Sequence, residues 1–219
     1  MDIENYQTLV FDCDGVVLNS NKVKTEAFYK TALPYGESSA QQLVDYHVAN
    51  GGISRYKKFE WFLHEILQGI NGPNLEQLLT NYAAEVRHGL LTCEIASGLF
   101  ELRKKTTHAK WLIISGGDQK ELREIFSVRK LDSLFDGGIF GSPDSKEIIL
   151  AREISAKNIL ENALFIGDSK YDYESSTKFG LNFLFLKKWS EFKNYSDFFE
   201  KKCVLILDDI CAMNGVLNN

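Results

Sequence analysis

The chain has 219 residues, 44% of them hydrophobic and 25% charged, the mix of a globular protein with enough apolar side chains for a real core. Twenty-five Lys and Arg against 30 Asp and Glu leave a net charge of −5, which argues against a general binder of nucleic acid or of a membrane surface, since both rest on clustered cations. No apolar run approaches the roughly 18 residues of a membrane helix, and the acidic start Met1-Asp2-Ile3-Glu4-Asn5 lacks the basic region of a secretory leader, so a cytoplasmic location is expected.

The first predicted element is Thr8-Leu9-Val10-Phe11, a short run of β-formers that reads as a buried strand and stops abruptly at Asp12-Cys13-Asp14-Gly15. From about Val17 to His88 the pattern is helical, near Val23–Leu33, Ala40–Val48, Arg55–Leu67 and Leu75–Val86, with a turn at Gly69-Ile70-Asn71-Gly72-Pro73-Asn74. Buried runs then recur at Trp111–Ile114, Leu164–Ile166, Phe183–Leu186 and Val204–Leu207. Helical stretches accompany them at Leu99–Lys105, Gln119–Val128, Glu147–Ser155 and Tyr173–Phe179. This alternation predicts an α/β fold, a Rossmann-like parallel sheet covered on both faces over residues 1–17 and 89–219, with an all-helical cap inserted at 18–88.

Ligands of open parallel sheets bind beyond the carboxyl ends of the strands. Asp12 and Asp14 follow the first predicted strand, Ser115-Gly116-Gly117-Asp118 the second, and Gly167-Asp168-Ser169-Lys170-Tyr171-Asp172 the third. Four carboxylates converging there repel one another unless a cation sits among them, and hard oxygen ligands suit Mg²⁺. Ser115 with the amides of Gly116 and Gly117, read as opening a helix, forms an anion cradle, and a bound phosphate would call for a lysine as counter-charge.

These residues resemble the motifs of the haloacid dehalogenase-like hydrolase superfamily. Leu9-Val10-Phe11-Asp12-Cys13-Asp14-Gly15-Val16-Val17-Leu18-Asn19-Ser20 looks like its first motif, Ile113-Ile114-Ser115-Gly116 its second, Lys146 its third and Phe165-Ile166-Gly167-Asp168-Ser169-Lys170-Tyr171-Asp172 its fourth. Order and placement are similar to the phosphatase branch with a helical cap, near the phosphoglycolate phosphatase and β-phosphoglucomutase relatives. The resemblance implies Asp12 as the nucleophile that becomes an aspartyl-phosphate and Asp14 as acid, then base. Ser115, Gly116 and Lys146 would hold the phosphoryl group. Mg²⁺ would be bound by Asp12, the Asp14 carbonyl and Asp168, with Asp172 in support. In such relatives the break before Arg55 reaches over the site, so Arg55 is expected to touch an anionic or hydroxyl-rich part of the substrate. Asn19 stands where relatives often have Asp, and Glu147 follows Lys146 where Pro is frequent; Lys130 and Lys157 are the competing lysines.

The expected activity is therefore Mg²⁺-dependent hydrolysis of a small phosphomonoester, a sugar phosphate or a small phosphorylated acid. The alternatives are a sugar phosphomutase of the β-phosphoglucomutase type, a metal-free dehalogenase, which the intact DxDG opposes, and a non-catalytic binding protein on the same fold. The expected partner is a small phosphorylated metabolite, with no nucleic acid and no membrane, in a monomer or homodimer. Cys13, Cys93, Cys203 and Cys211 form no CxxC pair and the four histidines are scattered, so reduced thiols are expected rather than zinc. Asp208-Asp209 reads as a helix cap, Cys13 as core packing, Trp61 and Phe62 as exposed apolar cap residues lining the site, the cap core or a dimer contact, and the Lys57-Lys58, Lys104-Lys105, Lys187-Lys188 and Lys201-Lys202 pairs as solvated faces.

Overall fold

Strand alternation sorts the apolar residues onto two faces of one sheet. In strand β1 (Thr8–Phe11), Leu9 and Phe11 enter one hydrophobic cluster and Val10 the other. The computed structural model describes residues 3–68 and 72–216, and in it β1 pairs on both sides. The other strands are β2 (Lys110–Asp118), β3 (Gly138–Ser142), β4 (Ala163–Gly167), β5 (Asn182–Leu186) and β6 (Leu205–Leu207). All pairings are parallel, in the order β3-β2-β1-β4-β5-β6. The order reverses direction between β1 and β4, and that switch point opens the crevice where such sheets take ligands.

Five strands coincide with the predicted apolar runs, and β3 was not anticipated. Its sequence, Gly-Ile-Phe-Gly-Ser, holds only two apolar side chains, and it gains its place by pairing with β2. Helices α5 (Leu99–Lys105), α6 (Gln119–Val128), α7 (Lys146–Ser155) and α8 (Lys170–Lys178) connect the sheet strands. The chain closes with α9 (Tyr195–Phe199), β6 and α10 (Ile210–Val216), whose first turn is capped by Asp209 through the amide of Ala212 at 3.0 Å.

Between β1 and β2 run α1 (Asn21–Ala32), α2 (Glu37–Ala49), α3 (Arg55–Trp61) and α4 (Leu75–Thr92). Phe28 joins them, its ring 4.4 Å from Tyr82, 4.5 Å from His47 and 5.2 Å from Phe59. Three expectations are revised here. The helix predicted to reach Leu67 turns into a π-helical segment at Phe62–Ile66, and Phe62 is fully buried rather than exposed, while Trp61 is half-buried and stacked on Tyr46 at 3.9 Å. Part of the turn expected at 69–74 lies outside the described residues. At its end Asn74 and Gln77 form a capping box that starts α4. The boundary expected at residue 88 falls inside α4, which runs on to Thr92. Among the described residues no helix is long and apolar enough to cross a membrane.

Candidate active site

Asp12 leaves the end of β1 with its amide still bonded to the carbonyl of Ile166 in β4, at 2.9 Å, so the nearer of the two DxDG carboxylates is fixed by the sheet itself. Gly15 then turns the chain at φ +75°. A Cβ there would lie 2.1 Å from Asp168 Oδ2, so only glycine lets this loop approach the end of β4. Asp172, in the first turn of α8, is completely buried and fully engaged. Its Oδ2 accepts from the Ser169 amide (3.0 Å), the Ser169 hydroxyl (2.6 Å) and the Asp168 amide (3.2 Å), and its Oδ1 accepts from Lys146.

Lys146 opens α7 behind the Ser145 cap and is 1% exposed. Besides Asp172 it faces Asp12, whose Oδ1 lies 3.0 Å from Nζ, close enough for charge pairing but without a hydrogen bond of good geometry. Asp12 Oδ1 is thus a buried acceptor with no donor aligned on it. Lys130 and Lys157, the competing lysines, occupy positive-φ positions just beyond α6 and α7, and neither lines the crevice.

One carboxylate oxygen from each of Asp12, Asp168 and Asp172 lies within 4.8 Å of the other two. Burial pushes the Asp12 carboxyl up to about 7 against the pull of Lys146, and burial followed by the charges of Asp172 and Asp12 holds Asp168 well above the usual carboxylate range. A divalent cation removes that penalty. Since Asp172 has its oxygens committed, Asp12 and Asp168 are the carboxylates with capacity left for an ion.

Asp14 is arranged differently. Its Oδ2 is 2.5 Å from Lys24 Nζ and its Oδ1 accepts from the Ser20 hydroxyl at 2.6 Å. Burial acts to raise this carboxyl, but Lys24 and Ser20 outweigh it and the net shift is downward. The sequence reading missed Lys24, which is 8% exposed. The only signal was its place one turn into the helix that follows the first motif.

The cradle expected at Ser115–Gly117 is corrected in its setting. Strand β2 continues to Asp118, whose side chain caps α6 by accepting from Glu121, so this segment is strand and not helix N-terminus. Ser115 is fully buried and its Oγ accepts from the Gly117 amide at 3.0 Å. Gly116 and Gly117 reach the crevice wall, and Ser115 does not. A Cβ on Gly116 would lie 2.2 Å from the carbonyl oxygen of Gly52, in the loop between α2 and α3, so two bare backbones touch across the crevice.

Between α1–α4 and the sheet lies a cavity of about 210 Å³, with Asp12, Asp14 and Asp168 on one side and Lys24, His47 and Lys58 among its walls on the other. A recess of about 20 Å³ beside it is lined by Gly52, Gly116, Ser142, Lys146 and Tyr171. Arg55 also reaches the cavity wall, but its guanidinium forks onto Glu121 of α6, with Nη1 to Oε2 at 3.1 Å and Nη2 on Oε1, and its Cζ lies 4.7 Å above the Tyr82 ring. It is neither a surface residue nor a free anion hook. Lys58 departs furthest from expectation. Read as part of a solvated pair, it is 2% exposed, because it turns inward onto the Phe28 ring of α1 and His47 of α2.

A family model described as haloacid dehalogenase-like hydrolase matches residues 9–186. The chain belongs to this family. It is a hydrolase, and all the expected motif residues lie inside the matched span. No curated protein matches the chain. Among solved structures the haloacid dehalogenase-like fold is similar to CbbY from Rhodobacter sphaeroides in complex with phosphate, at 12% identity over 98% of this chain and 100% of that one, with a TM-score of 0.72. A protein from Clostridium acetobutylicum described as a predicted phosphatase gives 15% identity, 98% and 99% coverage and a TM-score of 0.74. The haloacid dehalogenase-like family protein SP0104 from Streptococcus pneumoniae gives 15%, 96% and 98%, and 0.68. At these identities the likeness is one of fold.

Proposed function

We propose that this hydrolase releases phosphate from a small phosphorylated metabolite through an aspartyl-phosphate on Asp12, with Mg²⁺ as its ion. The observation that carries the reading is Asp12 itself: a buried carboxylate at the switch point, lining the cavity under the helices, with one oxygen lacking an aligned donor and Lys146 at 3.0 Å. Asp12 and Asp168 would hold Mg²⁺ together with the Asp14 carbonyl, and Asp172 would keep Lys146 and the Asp168 amide in place. The ion, when bound, neutralises charge on Asp12 and on the phosphoryl oxygens.

The chain's own residues supply the rest. An Asp12 oxygen attacks phosphorus in line while the bond from phosphorus to the leaving alkoxide oxygen breaks, and that oxygen takes a proton from Asp14. Water then attacks the phosphoryl group, gives its proton to Asp14 and frees Asp12 as a carboxylate. Beside Lys24, Asp14 rests ionised, set for the second half; the arriving phosphoryl dianion raises its proton affinity for the first. Lys146 and the backbone around Gly116 face the equatorial oxygens, and helices α1–α4 act as a cap that excludes bulk water. A cavity of about 210 Å³ is below the roughly 300–1,000 Å³ of drug-sized sites, which favours small esters over protein or nucleic-acid phosphates. The four free cysteines suit a reducing cytoplasm.

The test is phosphate release from a panel of sugar phosphates and small phosphorylated acids, with Mg²⁺ or EDTA, for the natural protein and Asp12→Asn. Release that needs Mg²⁺ and falls on the order of 10³-fold or more in Asp12→Asn is expected. Undiminished release by Asp12→Asn overturns the reading.

A further inference from the structure

The wall of the cavity opposite Asp12 holds two donors that the proposed chemistry does not use. Lys58 Nζ is 2.6 Å from His47 Nδ1 and 3.5 Å from the His47 carbonyl, and it pairs with no carboxylate among the described residues. With Lys58 as an ammonium, which only donates, His47 Nδ1 accepts and the ring proton sits on Nε2. That Nε2 is buried without a hydrogen-bond partner; its nearest carboxylate oxygen, Glu191 Oε2, is 4.0 Å away. His47 and Lys58 both line the cavity that Asp12, Asp14 and Asp168 line. The other basic side chains of this region are already matched, Lys24 by Asp14, Lys146 by Asp12 and Asp172, and Arg55 by Glu121. A buried cation and a buried N–H, adjacent and without an anionic partner, are costly to keep unless something fills the place.

We propose that Lys58 and His47 Nε2 form a subsite for a carboxylate on the leaving group, so that the substrate is the phosphate ester of a small hydroxy acid rather than of a neutral polyol. The inference rests on the phosphatase reading and narrows it. The small cavity suits such an ester, whose two anionic ends meet the metal ligands, with Lys146 in the adjoining recess, on one side and Lys58 on the other. Charge balance points the same way. Burial, then the Lys24 charge, lowers the Lys58 ammonium to about 7, and an anion beside it favours the charged form. The groups around Lys58 are His47 from α2, Lys24 and the Phe28 ring from α1, Asp14 from the loop after β1, Lys146 from α7, and Glu191 from the loop after β5. Glu191 accepts from Thr25 at 3.1 Å and its charge acts on Lys58, but among the described residues the two form no ion pair.

The test is a binding measurement in an Asp12→Asn background with Mg²⁺, so that turnover plays no part. The probes are 3-phosphoglycerate and glycerol 3-phosphate, which share a carbon chain and differ by carboxylate against hydroxymethyl. Calorimetry should give at least tenfold tighter binding of 3-phosphoglycerate, and Lys58→Met should abolish that preference while leaving glycerol 3-phosphate unchanged. Retained binding of glycerol 3-phosphate shows that the variant is folded, and Lys58→Arg should recover part of the preference. Equal binding of the two esters, an unaltered preference in Lys58→Met, or binding of neither ester overturns the subsite. Because no phosphate release is read, these outcomes are separate from a failure of the aspartyl-phosphate reading, which shows only in the turnover assay.

Discussion

The two sides of the cavity are built on different rules. On the sheet side every acidic group is placed by backbone: Asp12 by its amide on β4, Asp168 by the end of that strand, Asp172 by the first turn of α8. Asp12 and Asp172 share Lys146, Asp172 accepts from three further donors and Asp168 from Asn21 at 2.7 Å, while Oδ1 of Asp12 has no aligned donor. On the helical side the polar groups come from side chains on α1, α2 and α3, and among the described residues Lys58 and His47 hydrogen-bond only to each other. The sheet side can therefore hold a fixed reaction geometry, whereas the helical side is where a ligand must complete the set.

The largest effect that can break this contrast comes from a matched pair of substitutions. Lys146→Met removes the cation between two buried carboxylates and should cost about 3–5 kcal/mol in urea unfolding. Lys58→Met removes a buried cation that has no carboxylate partner, so stability should stay within about 1 kcal/mol or rise. Equal losses in both would erase the distinction.

Metal addition sharpens it next. In the metal-free protein the folded Asp12 carboxyl stands at about 7, above its unfolded value, so the native state binds the extra proton and loses stability as pH climbs from the ordinary carboxylate range through 7. Mg²⁺ at a hundred times its Kd should stabilise by about 2.7 kcal/mol. Its lift in Tm over EDTA should be larger at pH 8 than at pH 5, where a proton must first be displaced from Asp12. A larger lift at pH 5 would contradict the assignment of Asp12 as a ligand.

The smallest effect concerns the ion pair of Lys24 with Asp14, which joins the helical side to the loop after β1. With Lys24→Met the Asp14 carboxyl loses the charge that holds it down, so its proton affinity rises. The limb of the kcat/KM pH profile that Asp14 governs should move to higher pH by about one unit, worth about 1.4 kcal/mol. A profile that does not move would show that Lys24 does not tune Asp14.

The same contrast explains what could be read from the sequence. The strand ends were legible because a buried parallel strand is a solid apolar run, so a polar residue just after it, such as Asp12 or Asp168, is conspicuous. Strand β3 was hidden because two glycines and a serine dilute its run, and its pairing with β2 is a long-range contact. Lys24, His47 and Lys58 were illegible for a different reason. On an amphipathic helix a lysine is ordinarily assigned to water, and only the packing of α1, α2 and α3 around Phe28 shows that these turn inward. Arg55 was singled out by the glycine break before it, but the Glu121 that occupies its guanidinium lies 66 residues further on. The Ser115–Gly117 segment was misplaced because β2 runs past its apolar residues and α6 begins only after Asp118.

Gly116 and Gly52 meet with no side chain between them. The pair works as a mechanical stop: the distance at which the helices come to rest over the strands is set by main-chain atoms. Such a stop cannot be trimmed by substitution, because glycine has nothing left to remove; every change at Gly116 adds material and wedges the enclosure wider.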